Sequence, residues 1–184
     1  MPKKKPKILE QHIAAQSHFF QIESLHLEFS NGERRVYERL VGGQRGAVMI
    51  VPVTADRELL LVREYAVATD RYELSFPKGA IDAGEEPQQA ANRELQEEIG
   101  FAAQKWHMLK EVTAAPSYFG GAMQIFVADE LYPSRLLGDE PEPLVIETIA
   151  IDECLSLLER KEFSEARTIA ALFMFKQWWQ KTCK

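Results

Sequence analysis

Glu94, Glu97 and Glu98 stand at i, i+3 and i+4 in the stretch Arg93-Glu94-Leu95-Gln96-Glu97-Glu98-Ile99-Gly100-Phe101. In a helix that spacing puts three carboxylates on one face. Like charges so placed oppose the helix by roughly 0.2–0.5 kcal/mol per pair. A cation removes the conflict. Oxygen donors with no Cys or His beside them suit a hard ion, magnesium or manganese. The plainer alternative is a solvated acidic face carrying an i, i+4 pair such as Arg93 with Glu97.

The neighbouring residues supply what would position such a face. Pro87 fits a first helical turn, where its missing N–H is no loss. Ala90, Ala91, Leu95 and Ile99 fall on the side to be buried. Gly100 lies where a left-handed cap ends a helix. Upstream, Arg71–Phe76 reads as a short strand feeding a tight loop at Pro77-Lys78-Gly79. The continuous apolar run Ala47–Val53 suits a central strand buried on both faces, and Glu58–Glu64 pairs back after a turn at Asp56-Arg57. Further strands are expected at 106–112, 123–128 and 144–151. A loop rich in acid and proline runs from Pro133 to Pro143. Asp152 and Ser164 are expected to cap two late helices. Strands and helices mix without a βαβ repeat, so the class is α/β or α+β, a mixed sheet with helices on both faces.

At the N-terminal end, Phe20–Phe29 alternates apolar and polar residues, Asn31-Gly32 is a hairpin signal and Arg35–Val41 returns. Gly42-Gly43 closes this hairpin. The basic Met1–Lys7 has no apolar run behind it, so it reads as a solvated tail rather than a signal segment.

The length of 184 residues suits one domain with a small extension. A net charge of −6 disfavours a general nucleic-acid surface. No apolar run is long enough to span a membrane. Cys154 and Cys183 have no second ligand nearby, which excludes a zinc motif and points to reduced thiols in the cytoplasm. His107 reads as a strand residue, Phe119 and Phe126 as core, and Trp178-Trp179 as packing.

Gly79, five residues, Glu85, seven residues, Arg93-Glu94, an aliphatic residue, one more, Glu97-Glu98, then Gly100 and Phe101 form one continuous pattern over 79–101. It matches the Nudix box at every defining position, and the chain resembles the Nudix hydrolase superfamily. The resemblance implies a Nudix fold, a mixed β-sheet sandwiched between helices, over 45–184, with an antiparallel β-hairpin extension over 1–44. It implies magnesium- or manganese-dependent hydrolysis of a nucleoside diphosphate linked to another group. By resemblance Glu94, Glu97 and Glu98 are metal ligands, joined by the backbone carbonyl of Lys78. Arg93 would hold box carboxylates in place, Glu85 foremost, while Gly79 and Gly100 serve backbone shape. The attacking water would find its base either on the box helix or in the acidic loop, at Glu140 or Glu142.

Flanking segments narrow the resemblance to the ADP-ribose pyrophosphatase branch, and within it to bacterial ADP-compounds hydrolases. Leu27–Gly32, Arg63–Val67, Ala115–Phe119 and Gly138–Pro143 carry this likeness. It implies ADP-ribose, NADH and diadenosine triphosphate as substrates, AMP as a product, and a homodimer formed through the N-terminal sheet. Arg63 would meet a substrate phosphate. Pro116 lies 16 residues after Gly100, a spacing associated with ADP-ribose hydrolases, and Tyr118 lies 18 after it, as in diadenosine polyphosphate hydrolases. One departure stands out. The branch reads Glu-Leu-Pro-Ala-Gly into the box, where this chain has Glu73-Leu74-Ser75-Phe76-Pro77-Lys78-Gly79, so the glutamate is displaced by two residues. The alternatives are an enzyme removing NAD or a cap from RNA 5′ ends, which needs a basic path, and a nucleotide sensor, which would tend to lack box carboxylates.

Overall fold

The structure is a computed structural model and describes residues 4–42, 45–138 and 141–182. The chain forms two compact units, one of residues 1–44 with 113–122, the other of 45–112 with 123–184. Residues 113–122 thus group with the N-terminal segment, where the sequence pattern put them in the following domain.

In the first unit, β1 (Lys7–Gln16) pairs antiparallel with β2 (Gln21–Glu28), which pairs with β3 (Arg34–Val41). The Asn31-Gly32 turn is present, with Gly32 at φ 84°. Residues 4–6 carry no regular structure, and β1, a strand the sequence pattern did not assign, begins at Lys7, the last residue of the expected tail. Its alternation is broken by irregularities at Ile8/Glu10 and Ile13/Ala15, which shift the side-chain period and hide the pattern. All of β1 is exposed, so the ladder to β2 rather than burial holds it. Leu40 of β3 meets the start of β9 (Phe119–Pro133) at Phe119.

The second unit is built around β4 (Ala47–Pro52), which lies parallel to Met123–Ala128 of β9 and antiparallel to β7 (Lys78–Ala80). The expected tight loop at Gly79 is therefore a short strand. β8 (Phe101–Ala115) pairs with β9. A second, antiparallel sheet has the order β10 (Val145–Ala150), β5 (Glu58–Ala66), β6 (Arg71–Ser75). Alternate residues of β4 serve two cores. Val48 and Ile50 pack with Ala90, Ala91, Leu95 and Ile99 of the box helix, α1 (Pro87–Glu94) and its continuation. Met49 and Val51 pack with Ala171, Leu172 and Phe175 of α2 (Ala166–Thr182). A strand buried on both faces reads as a run of apolar residues, and this one does. The class is α+β, with the sheet between helices.

Two caps differ from expectation. The segment after Asp152 is a 3-10 helix, Cys154–Glu159. Glu165, not Ser164, caps α2, its carboxylate accepting the Thr168 N–H at 2.7 Å. The Ser164 hydroxyl instead donates to Glu73 at 3.2 Å and accepts from Arg71 at 2.9 Å. Cys154 is buried with a free thiol, and Cys183 lies outside the described residues. Among the described residues, no helix is long and apolar enough to cross a membrane.

Candidate active site

The box helix starts on a capping box. Glu86 accepts from the backbone at Gln89, and the Gln89 side chain accepts the Glu86 N–H at 3.1 Å. The helix then widens into a π turn at Leu95–Ile99, where Gly100 N–H reaches back to Leu95 O at 3.2 Å. Gly100 ends it at φ 83°, a left-handed conformation that favours glycine. Glu94 sits in the narrow part; Glu97 and Glu98 sit in the wide part.

Arg93 is the hub of the acidic face. Its Nε and Nη2 each donate to Glu85 at 3.0 Å, and Nη2 also donates to Ala80 O at 2.9 Å. Its Nη1 donates to Glu94 at 2.7 Å and to Glu97 at 2.9 Å. Glu85 first, then Glu94 and Glu97, hold the guanidinium pKa above its already high value against the opposing effect of burial. Arg93 in turn keeps the Glu85 carboxyl below its ordinary range. Gly79 permits the arrangement: a Cβ there would fall 2.0 Å from the Glu94 carboxyl carbon.

Glu98 is the exception in this group. It is buried at 7% exposure. Its Oε1 accepts the Lys78 N–H at 3.3 Å, while its Oε2 has no hydrogen-bond partner among the described residues. Burial pushes its pKa up to about 8; Lys78 opposes this, and Glu94 and Glu64 add to it. A buried carboxylate oxygen without a partner is costly unless a proton or a cation meets it.

Among the described residues, no three His, Cys, Asp or Glu side chains already converge as an ion-holding set. Arg93 draws Glu94 and Glu97 toward its own Nη1. The donor chemistry nevertheless fits a hard divalent ion: clustered carboxylates, an orphaned Glu98 oxygen, and a glycine that leaves room for Glu94.

A cavity of about 360 Å³ lies in the same unit, lined by Arg63, Glu64, Tyr65, Tyr72 and residues 141–145. Glu64 links it to the acidic face, since Lys78 Nζ donates to Glu64 at 3.0 Å and to Ser75 at 3.1 Å. Glu142 of the acidic loop accepts the Tyr72 hydroxyl at 2.5 Å, which raises the phenol pKa. Glu140 lies outside the described residues.

Arg63 is held by acids. Its Nε and Nη2 donate to Glu147 at 2.9 and 2.5 Å, and Nη2 reaches Glu162 at 3.4 Å. Glu73, displaced in sequence, is buried and bonded to Arg71 and Ser164. Pro116 and Tyr118 fall in the other compact unit, along a groove with Ile8, Leu25 and Tyr37. Sequence reasoning missed the Lys78 ammonium, Glu64 and Tyr72. Lys78 drew notice only for its backbone, although a lysine immediately before the box glycine is itself a charge beside the acidic face.

Comparison with known proteins completes the description. The profile of the NudE-type Nudix hydrolase N-terminal domain matches residues 6–39, and that of the NUDIX domain matches 43–172. The chain is 52% identical to the ADP compounds hydrolase NudE of Escherichia coli (strain K12) over 174 residues, 95% of this chain and 93% of that protein. It is 27% identical to the ADP-ribose pyrophosphatase of Bacillus subtilis (strain 168) over 173 residues, 90% and 92% of the two chains. A crystal structure of an ADP compounds hydrolase superposes with a TM-score of 0.94 at 50% identity, covering 98% of this chain and 97% of that one.

Proposed function

The chain belongs to the Nudix hydrolase family, of the NudE type, and on that footing we propose that it hydrolyses the pyrophosphate bond of ADP-ribose, NADH and diadenosine triphosphate, releasing AMP. One observation supports the site above others: the buried Glu98 oxygen without a partner, set beside Glu94 and Glu97. Glu94, Glu97 and Glu98, with the Lys78 carbonyl, would hold magnesium or manganese. Such an ion, when bound, neutralises charge on the diphosphate and lowers the pKa of water.

The chain's own residues supply the rest. Arg93 bonds Glu85, Glu94 and Glu97 together and so orients the acidic face. The cavity beside Glu64 receives one moiety of the substrate, with the Tyr65 and Tyr72 rings as its apolar wall. Arg63 Nη1 makes no hydrogen bond among the described residues and is the atom that would meet a phosphate oxygen. Glu142 and the carboxylates of the wide turn are the proton acceptors within this unit. In the other unit Pro116 and Tyr118 border an apolar groove.

The exposed apolar residues of β1 and β3, among them Ile8, Leu9, Ile13 and Val36, support a homodimer through the N-terminal sheet. Light scattering at micromolar concentration should read twice the chain mass. The acidic balance and the cysteine usage support a cytoplasmic protein acting on small nucleotides.

The deciding experiment is a substrate panel with magnesium in oxygen-18 water, read by AMP release. AMP should appear from all three compounds and vanish on chelation, and the label identifies the phosphorus attacked. Absence of metal-dependent AMP from every one of them would overturn the reading in favour of a nucleotide sensor.

A further inference from the structure

After β9, the segment Ser134-Arg135-Leu136 crosses the end of the box helix and bonds to it repeatedly. Ser134 N–H donates to Gly100 O at 3.0 Å, and Leu136 N–H donates to Gln96 O at 3.3 Å. The Ser134 hydroxyl donates to Gln96 Oε1 at 2.9 Å. Arg135 Nη2 reaches Ile99 O at 3.5 Å and stands where a Cβ on Gly100 would lie 2.8 Å away. Gln96 is fixed in turn, its Nε2 donating to Asn92 O at 2.9 Å.

Carbonyls at a helix end need outside donors. The π turn changes which carbonyls those are. Gly100 N–H bonds Leu95 O, five residues back, instead of Gln96 O, four back. Gln96 O therefore loses the donor that an α register would give it, and Leu136 N–H takes that place. The crossing segment thus bonds the wide turn at a carbonyl that an α turn would have satisfied internally.

The register matters because of what the turn carries. A π turn holds one residue more than an α turn and is uncommon except at functional sites. Reversion to α would rotate Glu97 and Glu98 relative to Glu94 by as much as about 100° around the helix axis. We propose that the strap Ser134–Leu136 selects the wide register of the box helix, which makes Ser134 and Gln96 positioning residues for the three carboxylates. The inference rests on the reading that those carboxylates hold the divalent ion. It explains why a serine and a glutamine that line neither the cavity nor the acidic hub are bonded to each other across 38 residues of chain.

The test uses the full chain and Mn²⁺ alone, followed by electron paramagnetic resonance. Ser134→Ala removes the hydroxyl; Gln96→Met keeps length and helix preference but removes the side-chain bonds. Each should weaken Mn²⁺ binding about 10-fold, in the range of supporting residues around a metal. Amide exchange over 96–100 should quicken. With ADP-ribose, kcat should fall while KM changes by less than about twofold, and Ser134→Thr should restore wild-type values. Glu98→Gln is the control. If it weakens Mn²⁺ binding and both strap variants, folded, bind Mn²⁺ as wild type does, the strap inference is overturned and the carboxylate reading stands. If Glu98→Gln itself leaves Mn²⁺ binding unchanged, the carboxylate reading fails first.

Discussion

Two charge clusters in the second unit are built from similar residues to opposite ends. In one, Arg63 and Arg160 face Glu147 and Glu162, two cations against two anions, with bonds of 2.5–3.4 Å. In the other, Arg93 faces Glu85, Glu94 and Glu97, and one oxygen of the nearby Glu98 has no hydrogen-bond partner among the described residues. The protonation states follow the balance. Bonding from Arg160 first, and then from Arg63, holds the Glu162 carboxyl down at about 2. Burial pushes Glu98 up to about 8. The balanced cluster joins β5, β10 and the segment before α2. The unbalanced one has negative charge in excess, which suits a divalent cation and not a bare diphosphate.

The contrast breaks hardest at Glu98. Glu98→Gln keeps the volume and removes the charge, and kcat on ADP-ribose should fall about 10³-fold, a loss of about 4 kcal/mol of transition-state stabilisation. Residual activity within a few-fold of wild type would mean that the imbalance is not catalytic. Arg93→Lys should cost less, about 10–100-fold in kcat, because an ammonium cannot hold Glu85 through two parallel bonds while reaching Glu94 and Glu97. The matching change in the balanced cluster, Glu147→Gln, should leave kcat within a few-fold and lower Tm by about 2–4 °C, the effect of roughly 1 kcal/mol on a chain of this size.

The clusters should also respond to pH in opposite senses. In chelated protein, Glu98 has a folded pKa above its unfolded one. The stability it contributes is full below about 4.5 and is lost as pH rises toward about 8. Glu162 has a depressed folded pKa, so its contribution is present above about 4.5 and is lost as pH falls toward about 2. Melting curves of the metal-free chain should therefore show Tm falling by several degrees between pH 5 and pH 8, and Glu98→Gln should flatten that slope. A slope unchanged by the substitution would sever the orphaned oxygen from the stability of the site.

The sequence made one cluster legible and the other not. Glu94, Glu97 and Glu98 announce themselves because helix periodicity brings neighbours in sequence onto one face. Arg63 and Glu147 lie 84 residues apart and meet only because β5 and β10 pair with Arg63 opposite Val145. Nothing local marks them. The same limit hid the bond between Gln96 and the Ser134 hydroxyl, which is distant in sequence, and the widening of the helix itself, which breaks the period used to find it. The apolar run of β4 was plain, since both faces are buried; β1 was missed, since its alternation is interrupted and its residues are exposed.

The mildest test lies between the clusters, at Tyr72, whose hydroxyl bonds Glu142 at 2.5 Å across the cavity mouth. Both side chains are solvent-accessible, so the bond is worth little to stability, and Tyr72→Phe should leave Tm within about 1 °C. Its effect should appear in the reaction instead. If Glu142 accepts a proton during turnover, freeing it from the phenol should change kcat by only about two- to five-fold with KM unchanged. If only KM shifts, the bond shapes the cavity that receives the substrate and the proton goes elsewhere. That outcome would sharpen the contrast, pointing to the carboxylates around Arg93 as the acceptors.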